Sequence, residues 1–192
     1  CRLLSVGMRD DSKAFDGQLL PQVEEIVFSA VKKYLKNEIP DSQKGKLGSA
    51  TSVINSDTGI LIGTLIDYSL RKARLSNITG KMKTRWSPRE RNLFENLISN
   101  RVQEIYTYLG WFKNQFYFLD FKWTQEQLVA ISNLDDQTIK SYFGGHILSN
   151  PYSKFEYKTF KKLYISAIKE NWQVVDSQMV DNPIELHAAV FY

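Results

Sequence analysis

A single cysteine, Cys1, and two histidines, His146 and His187, are all that 192 residues contain of the side chains that make disulfides and most zinc sites. No intrachain disulfide can form, and no Cys/His zinc set can be assembled. A reducing, cytoplasmic setting is the expectation. Position 1 is also where lipid would be joined to a mature lipoprotein, although the plainer reading is that the numbering starts there. Long apolar runs are absent too: "GILIGTLI" is interrupted by Gly63 and Thr64 and falls well short of the ~18 residues that mark a bilayer-spanning helix. No membrane partner is expected. The chain has no G-x-x-x-x-G-K-[ST] loop and no G-x-G-x-x-G turn, so the common phosphate cradles are missing. Neither histidine adjoins a serine or cysteine nucleophile in sequence, which leaves no acyl-transfer triad to propose. An enzyme is not the first expectation, and no catalytic residue, cofactor or metal is expected. Internal repeats and low-complexity tracts are also lacking.

What is present is a foldable composition. Hydrophobic residues make up 43% of the chain, aromatics 13% and charged residues 24%, which is too apolar for a disordered segment. The net charge of +4 is modest, and its distribution says more. "RKARLSNITGKMKTRWSPRER" carries Arg71, Lys72, Arg74, Lys81, Lys83, Arg85, Arg89 and Arg91 against the one acid Glu90.

Periodicity predicts mainly α structure. Val23, Ile26, Val27, Ala30, Val31, Tyr34 and Leu35 recur at helical spacing between Leu19 and Ile39, and a second helix is expected from Ile60 to Leu75. Ser87, Pro88 and Glu90 spell a capping box with proline at the first helical position, opening a helix expected to run on to Gly110. "NQFYFLDFKW" reads as a strand, because aromatics occupy both parities without a breaker. A pair of short helices follows, stopped by Gly144 and Gly145. "KFEYKTFKKLYISAIKEN" is a further helix, with Lys154, Lys158, Lys161, Lys162 and Lys169 mostly on one side, and 172–192 reads as a terminal β-hairpin. The expected fold is therefore mainly α with a minor β component (α+β). A helical part with a basic loop spans 1–110, and a strand, a helix pair and a hairpin span 111–192, either sharing one core or packed as two.

The helix pair at 125–143 resembles the helix-turn-helix superfamily, whose usual form is Leu-Ala-x-Leu-Ser-Gly-Leu and, four residues on, Thr-Ile. Leu128, Val129, Ile131, Ser132, Asn133, Leu134, Thr138 and Ile139 keep that register. Asn133 stands at the turn, where positive φ is usual, and asparagine tolerates it; Asp135 or Asp136 would cap the second helix. The resemblance implies a DNA-binding protein, used in regulation or replication of bacterial or phage DNA. Gln137, Thr138, Lys140 and Ser141 would face the major groove, with Lys158, Lys161, Lys162, Arg85 and Arg89 supplying phosphate contacts. Duplex DNA is thus the expected partner. A non-enzymatic subunit of a protein complex, or a homodimer, is the alternative from a different class.

Two shorter resemblances complete the reading. Asp120-x-Lys122, with Asp67 in an earlier helix, resembles the metal-dependent PD-(D/E)xK nucleases, which hold a divalent ion on paired carboxylates. No acid lies between Glu104 and Asp120, so the second strand carboxylate of that pattern is missing. "IGTLIDYSLR" is similar to a G-T-x-x-D-Y-x-L-R segment of uncharacterised bacterial proteins and carries no transferable function. In it, Gly63 and Thr64 would allow close helix contact, and Asp67 would pair with Arg71 one turn on.

Overall fold

The computed structural model describes residues 1–36, 49–149 and 154–172. Ten α-helices follow one another among these: α1 (Arg2–Arg9), α2 (Leu20–Lys36, entered through a 3₁₀ turn at Gly17–Leu19), α3 (Ala50–Asn55), α4 (Asp57–Leu75), α5 (Pro88–Ser99), α6 (Gln103–Trp111), α7 (Lys113–Leu119), α8 (Phe121–Ile131), α9 (Asp136–Ile147) and α10 (Lys154–Lys169). No strand occurs among the described residues. Mainly α is right; the minor β component is corrected. The central strand over 114–123 is helical on both sides of Asp120, and nearly all of the hairpin expected over 172–192 lies outside the described residues.

The strand reading fails for a definite reason. Asp120 caps α8 by accepting a hydrogen bond from the Trp123 amide at 3.0 Å, so the aromatic run is split between two helices. Phe116, Leu119 and Trp123, spaced by three and four, point into the core, while Phe118 is exposed and Tyr117 and Phe121 are half-buried. Aromatics on both parities also satisfy a 3.6-residue period. The predicted α5 capping box is present, with Ser87 and Glu90 bonded reciprocally. Its helix does not reach Gly110, however. Arg101 adopts φ 53°, and the amides of Val102 and Arg101 bond back to the carbonyls of Leu97 and Ile98 at 3.0 and 2.9 Å, a Schellman stop. Glycine or asparagine usually takes that position, so an arginine there hides the break from the sequence.

α4 runs through the middle of the N-terminal half, with Ile62, Leu65, Ile66 and Tyr68 fully buried. α1 and α2 lie against it, and α9 is buried against α6. Buried side chains from Met8 to Trp172 form one hydrophobic cluster. Gly144 and Gly145 do not stop α9, which continues through them to Ile147. Gly145 instead lets α6 and α9 touch: a Cβ there would lie 1.8 Å from the Thr107 carbonyl oxygen.

Asp135, one of the two residues expected to cap α9, is the cap, accepting from the Thr138 amide and hydroxyl, each at 3.0 Å. The Thr138 amide bond is the main reason its carboxyl sits below the ordinary range. A depressed carboxylate stabilises the fold above its unfolded pKa, and that contribution is lost as pH falls through the folded value. Asp135→Ala is expected to cost about 1 kcal/mol at neutral pH, and the difference from wild type should shrink as the pH falls below 3.8, the ordinary value for an aspartate. Thermal melts at pH 7 and at the acid limit of folding check both.

Candidate functional site

The nine residues expected to contact DNA do not share one surface. Thr138 and Ser141 are only 8% and 5% exposed. Ser141 returns its hydroxyl proton to the Gln137 carbonyl at 2.9 Å, and every residue from Ser141 to Ile147 is buried. Gln137 is exposed, and Lys140 is half-buried with its Nζ 4.9 Å from the centre of the Trp172 ring. α9 is thus a core helix whose exposed edge is confined to its first turn. The N-terminal turn is the part of a recognition helix that contacts base edges, but of the four groove residues expected on α9, Thr138 and Ser141 are buried. Asn133 lacks positive φ, since Arg101 and Asn171 are the non-glycine residues with it among the described residues. Val129, at the helix-turn-helix alanine position, is 47% exposed rather than at a close approach.

The basic segment is largely neutralised. Arg71 bonds Asp11 at 2.6 Å, and Arg74 bonds the same carboxylate at 3.0 Å. Lys72 bridges Glu24 at 3.1 Å and the fully buried Glu90 at 2.9 Å. Arg89 pairs with Glu24 and Glu25, each at 2.8 Å, and covers the Phe28 ring. Arg91 is held by Glu95. Arg85 donates to the carbonyls of Phe118 and Gly80 at 2.5 and 2.7 Å and lies over the Phe118 ring. These cations tie helices and the 76–87 loop together. Glu24 is the hub: burial pushes its carboxyl up, but hydrogen bonds from Tyr68 and Lys72 and the nearby charges outweigh that and leave it below its ordinary range.

The α10 lysines are different. Lys158, Lys161, Lys162 and Lys169 are all exposed, and none makes an ion pair among the described residues; Lys161 only overlies the Tyr157 ring at 5.9 Å. At 100° per residue they fall within an arc of about 100°. Ile165 lies inside that arc and Ile168 beside it, 40% and 39% exposed.

The remaining motifs acquire structural roles. Asp120 is nearly buried, caps α8 and accepts from Thr84 at 2.8 Å. Lys122, in the next residue but one, is 79% exposed and faces Glu126. No group of three or more His, Cys, Asp or Glu side chains is placed to hold a metal ion among the described residues, so D-x-K supplies no second carboxylate here. Asp67 does not pair with Arg71. It accepts instead from Ser5 at 2.5 Å and from Arg9 Nε at 2.8 Å, and burial is the main reason its carboxyl lies above the ordinary value. The G-T-x-x-D-Y-x-L-R segment is therefore the strip that fastens α1, through Asp67, and α2, through a hydrogen bond from Tyr68 to Glu24.

Sequence reasoning missed one cluster altogether. Lys113 is fully buried, with Nζ 2.7 Å from Glu156 Oε2 and 3.3 Å from His146 Nδ1. His146 Nε2 meets the Tyr164 hydroxyl at 2.5 Å. Nothing local distinguishes Lys113 from a surface lysine, because its partners come from α9 and α10. No helix among the described residues is long and apolar enough to cross a membrane. No protein-family model, curated protein or solved structure matches the chain.

Proposed function

We propose that the protein binds nucleic acid, duplex DNA in the first instance, through the lysine face of α10 and without inserting a helix into the major groove. The observation that supports this is the contrast between two basic regions. Apart from the exposed Lys83, the cations of 71–91 are spent on acids, carbonyls and rings, whereas Lys158, Lys161, Lys162 and Lys169 are exposed without ion pairs among the described residues. Unpaired cations on one helical stripe can replace the counterions condensed on a phosphate backbone, and such binding is indifferent to base sequence.

The test is fluorescence anisotropy of a mixed-sequence duplex at several salt concentrations. Three to four phosphate contacts predict a slope of log affinity against log salt of about −3. Lys158→Glu/Lys161→Glu/Lys162→Glu should abolish binding, while Gln137→Ala/Lys140→Glu should leave most of it. A groove-docking α9 would give the reverse ranking. Ile165 inside the lysine arc favours a second reading, an acidic protein surface that buries the isoleucine. In that case the triple variant and Ile165→Asp would both lose the protein partner, and wild type would not bind the duplex at low salt.

A further inference from the structure

Between α1, α3, α4 and the junction of α6 with α7 lies a cleft of about 310 Å³, at the lower end of the roughly 300–1,000 Å³ that small-molecule pockets occupy. One long side is cationic. Arg2 and Arg9 both line it, seven residues apart on one face of α1, so their backbones stand about 10 Å from each other. Both residues are exposed, and Arg2 makes no ion pair among the described residues. Arg9 bonds Asp67 through Nε, and no contact of its two Nη groups occurs among the described residues. The other side is aromatic. Trp111 and Phe112, half-buried, meet edge to face with centroids 4.7 Å apart.

The floor is Tyr108, only 4% exposed yet lining the cleft. Its hydroxyl has room because residue 63 is glycine, where a Cβ would stand 2.6 Å from that oxygen. The hydroxyl has no hydrogen-bond partner among the described residues, so a polar atom at the foot of the cleft is left open to a ligand or to water. Asn55, at the rim, spends its Nδ2 on the Thr51 carbonyl at 2.9 Å and keeps Oδ1 as an acceptor.

A simple anion would have no use for the aromatic wall, and an apolar molecule none for the guanidiniums. The set asks for a planar ring with a mixed donor and acceptor edge at one end and a strong anion at the other. We propose that this cleft binds a nucleoside monophosphate, with the base against Trp111, the phosphate on the Nη groups of Arg9, and Arg2, Asn55 and Tyr108 reading the remaining polar edge. Bidentate guanidinium–phosphate pairing and base stacking are the two contacts that carry such recognition. The cleft's size admits one nucleotide, either free or as the phosphorylated end of a strand.

Calorimetric titration of the whole chain with AMP and GMP tests the proposal. One of them should bind at a single site with a Kd of about 1 mM or tighter, with adenosine, guanosine and inorganic phosphate each at least about tenfold weaker. Trp111→Ala should weaken binding about 5- to 100-fold and Arg2→Ala about tenfold. Both residues lie outside the buried core, and unchanged thermal melts would show that the fold survives. A 5′-phosphorylated trinucleotide that competes with AMP identifies a strand end as an acceptable source; failure to compete identifies the free nucleotide. Lys158→Glu/Lys161→Glu/Lys162→Glu should leave AMP binding intact, which separates this site from the α10 face. Absence of binding by both nucleotides at about 5 mM, several times the expected Kd, would overturn the proposal. So would affinity unchanged in both cleft variants, or affinity lost in the α10 triple variant.

Discussion

Gly145→Ala should lower the melting temperature by about 6–12 °C, although alanine is the better helix former. A Cβ at position 145 would lie 1.8 Å from the Thr107 carbonyl oxygen and 3.0 Å from the Trp111 amide nitrogen. Across the same contact, a Cβ on Gly110 would lie 2.2 Å from the Tyr142 carbonyl oxygen. Both obstacles are helix backbone, so no rotamer change relieves them and α6 and α9 must move apart. Overpacking of this kind costs about 3 kcal/mol at its upper range, and a chain of this size loses roughly 2–4 °C per kcal/mol. On a solvent-exposed helix the same change would stabilise by up to about 1 kcal/mol, so the sign alone is decisive. A melt equal to or above wild type would show that the two helices do not meet through glycine. Gly110→Ala should be destabilising as well, and the double variant should fall short of the sum, because one displacement relieves both clashes.

Lys113→Met is expected to cost about 3–5 kcal/mol, the range for breaking a buried ion pair from one side. The ammonium is fully buried and sits 2.7 Å from Glu156, itself only 2% exposed. Methionine keeps much of the volume, so the loss reports the charge left behind and not a cavity. Lys113→Met/Glu156→Met should recover part of the loss, since two apolar side chains remove the desolvation cost along with the attraction. Equal loss in single and double variants would argue against a coupled pair. Burial holds the Lys113 pKa below its ordinary value, and the Glu156 charge only partly offsets this. The sign follows from proton counting. Between the depressed folded pKa and 10.5 the unfolded chain holds the extra proton, so this group makes stability rise with pH across that interval. Urea titrations at successive alkaline pH values should show that rise in wild type and lose it in Lys113→Met.

Local signals carried the helices whose code is local. The Ser87–Pro88–Glu90 cap, the amphipathic stripe of α2 and most of α4 are read from residues within four positions of one another, and there the structure agrees. The aromatic run 115–123 has no such unique code, because Phe116, Leu119 and Trp123 satisfy a helical period while their neighbours also satisfy alternation. Only the Asp120 cap and the core waiting for three of those side chains decide between them. The break at Arg101 went unseen for the same reason: a left-handed residue without glycine or asparagine is dictated by where Val102 and Ile105 must be buried.

The candidate sites were legible in part. Lys158, Lys161, Lys162 and Lys169 could be placed on one helical face from spacing alone, and their exposure agrees. The fates of Arg85, Arg89, Thr138 and Ser141 could not be read, because bonding to the Phe118 carbonyl 33 residues away, pairing with Glu24 65 residues away and burial against α6 all depend on distant segments. Arg2 and Arg9 come from α1, Tyr108 and Trp111 from α6, and they form a cleft only after α1 and α6 are laid beside α4. What the sequence by itself determined is helical identity and the chemistry of each face, since both follow from interactions within a turn or two. Which faces are buried, which charges are cancelled and which groups converge were decided by the tertiary structure, because burial and pairing energies belong to contacts between distant segments and leave no trace in local order.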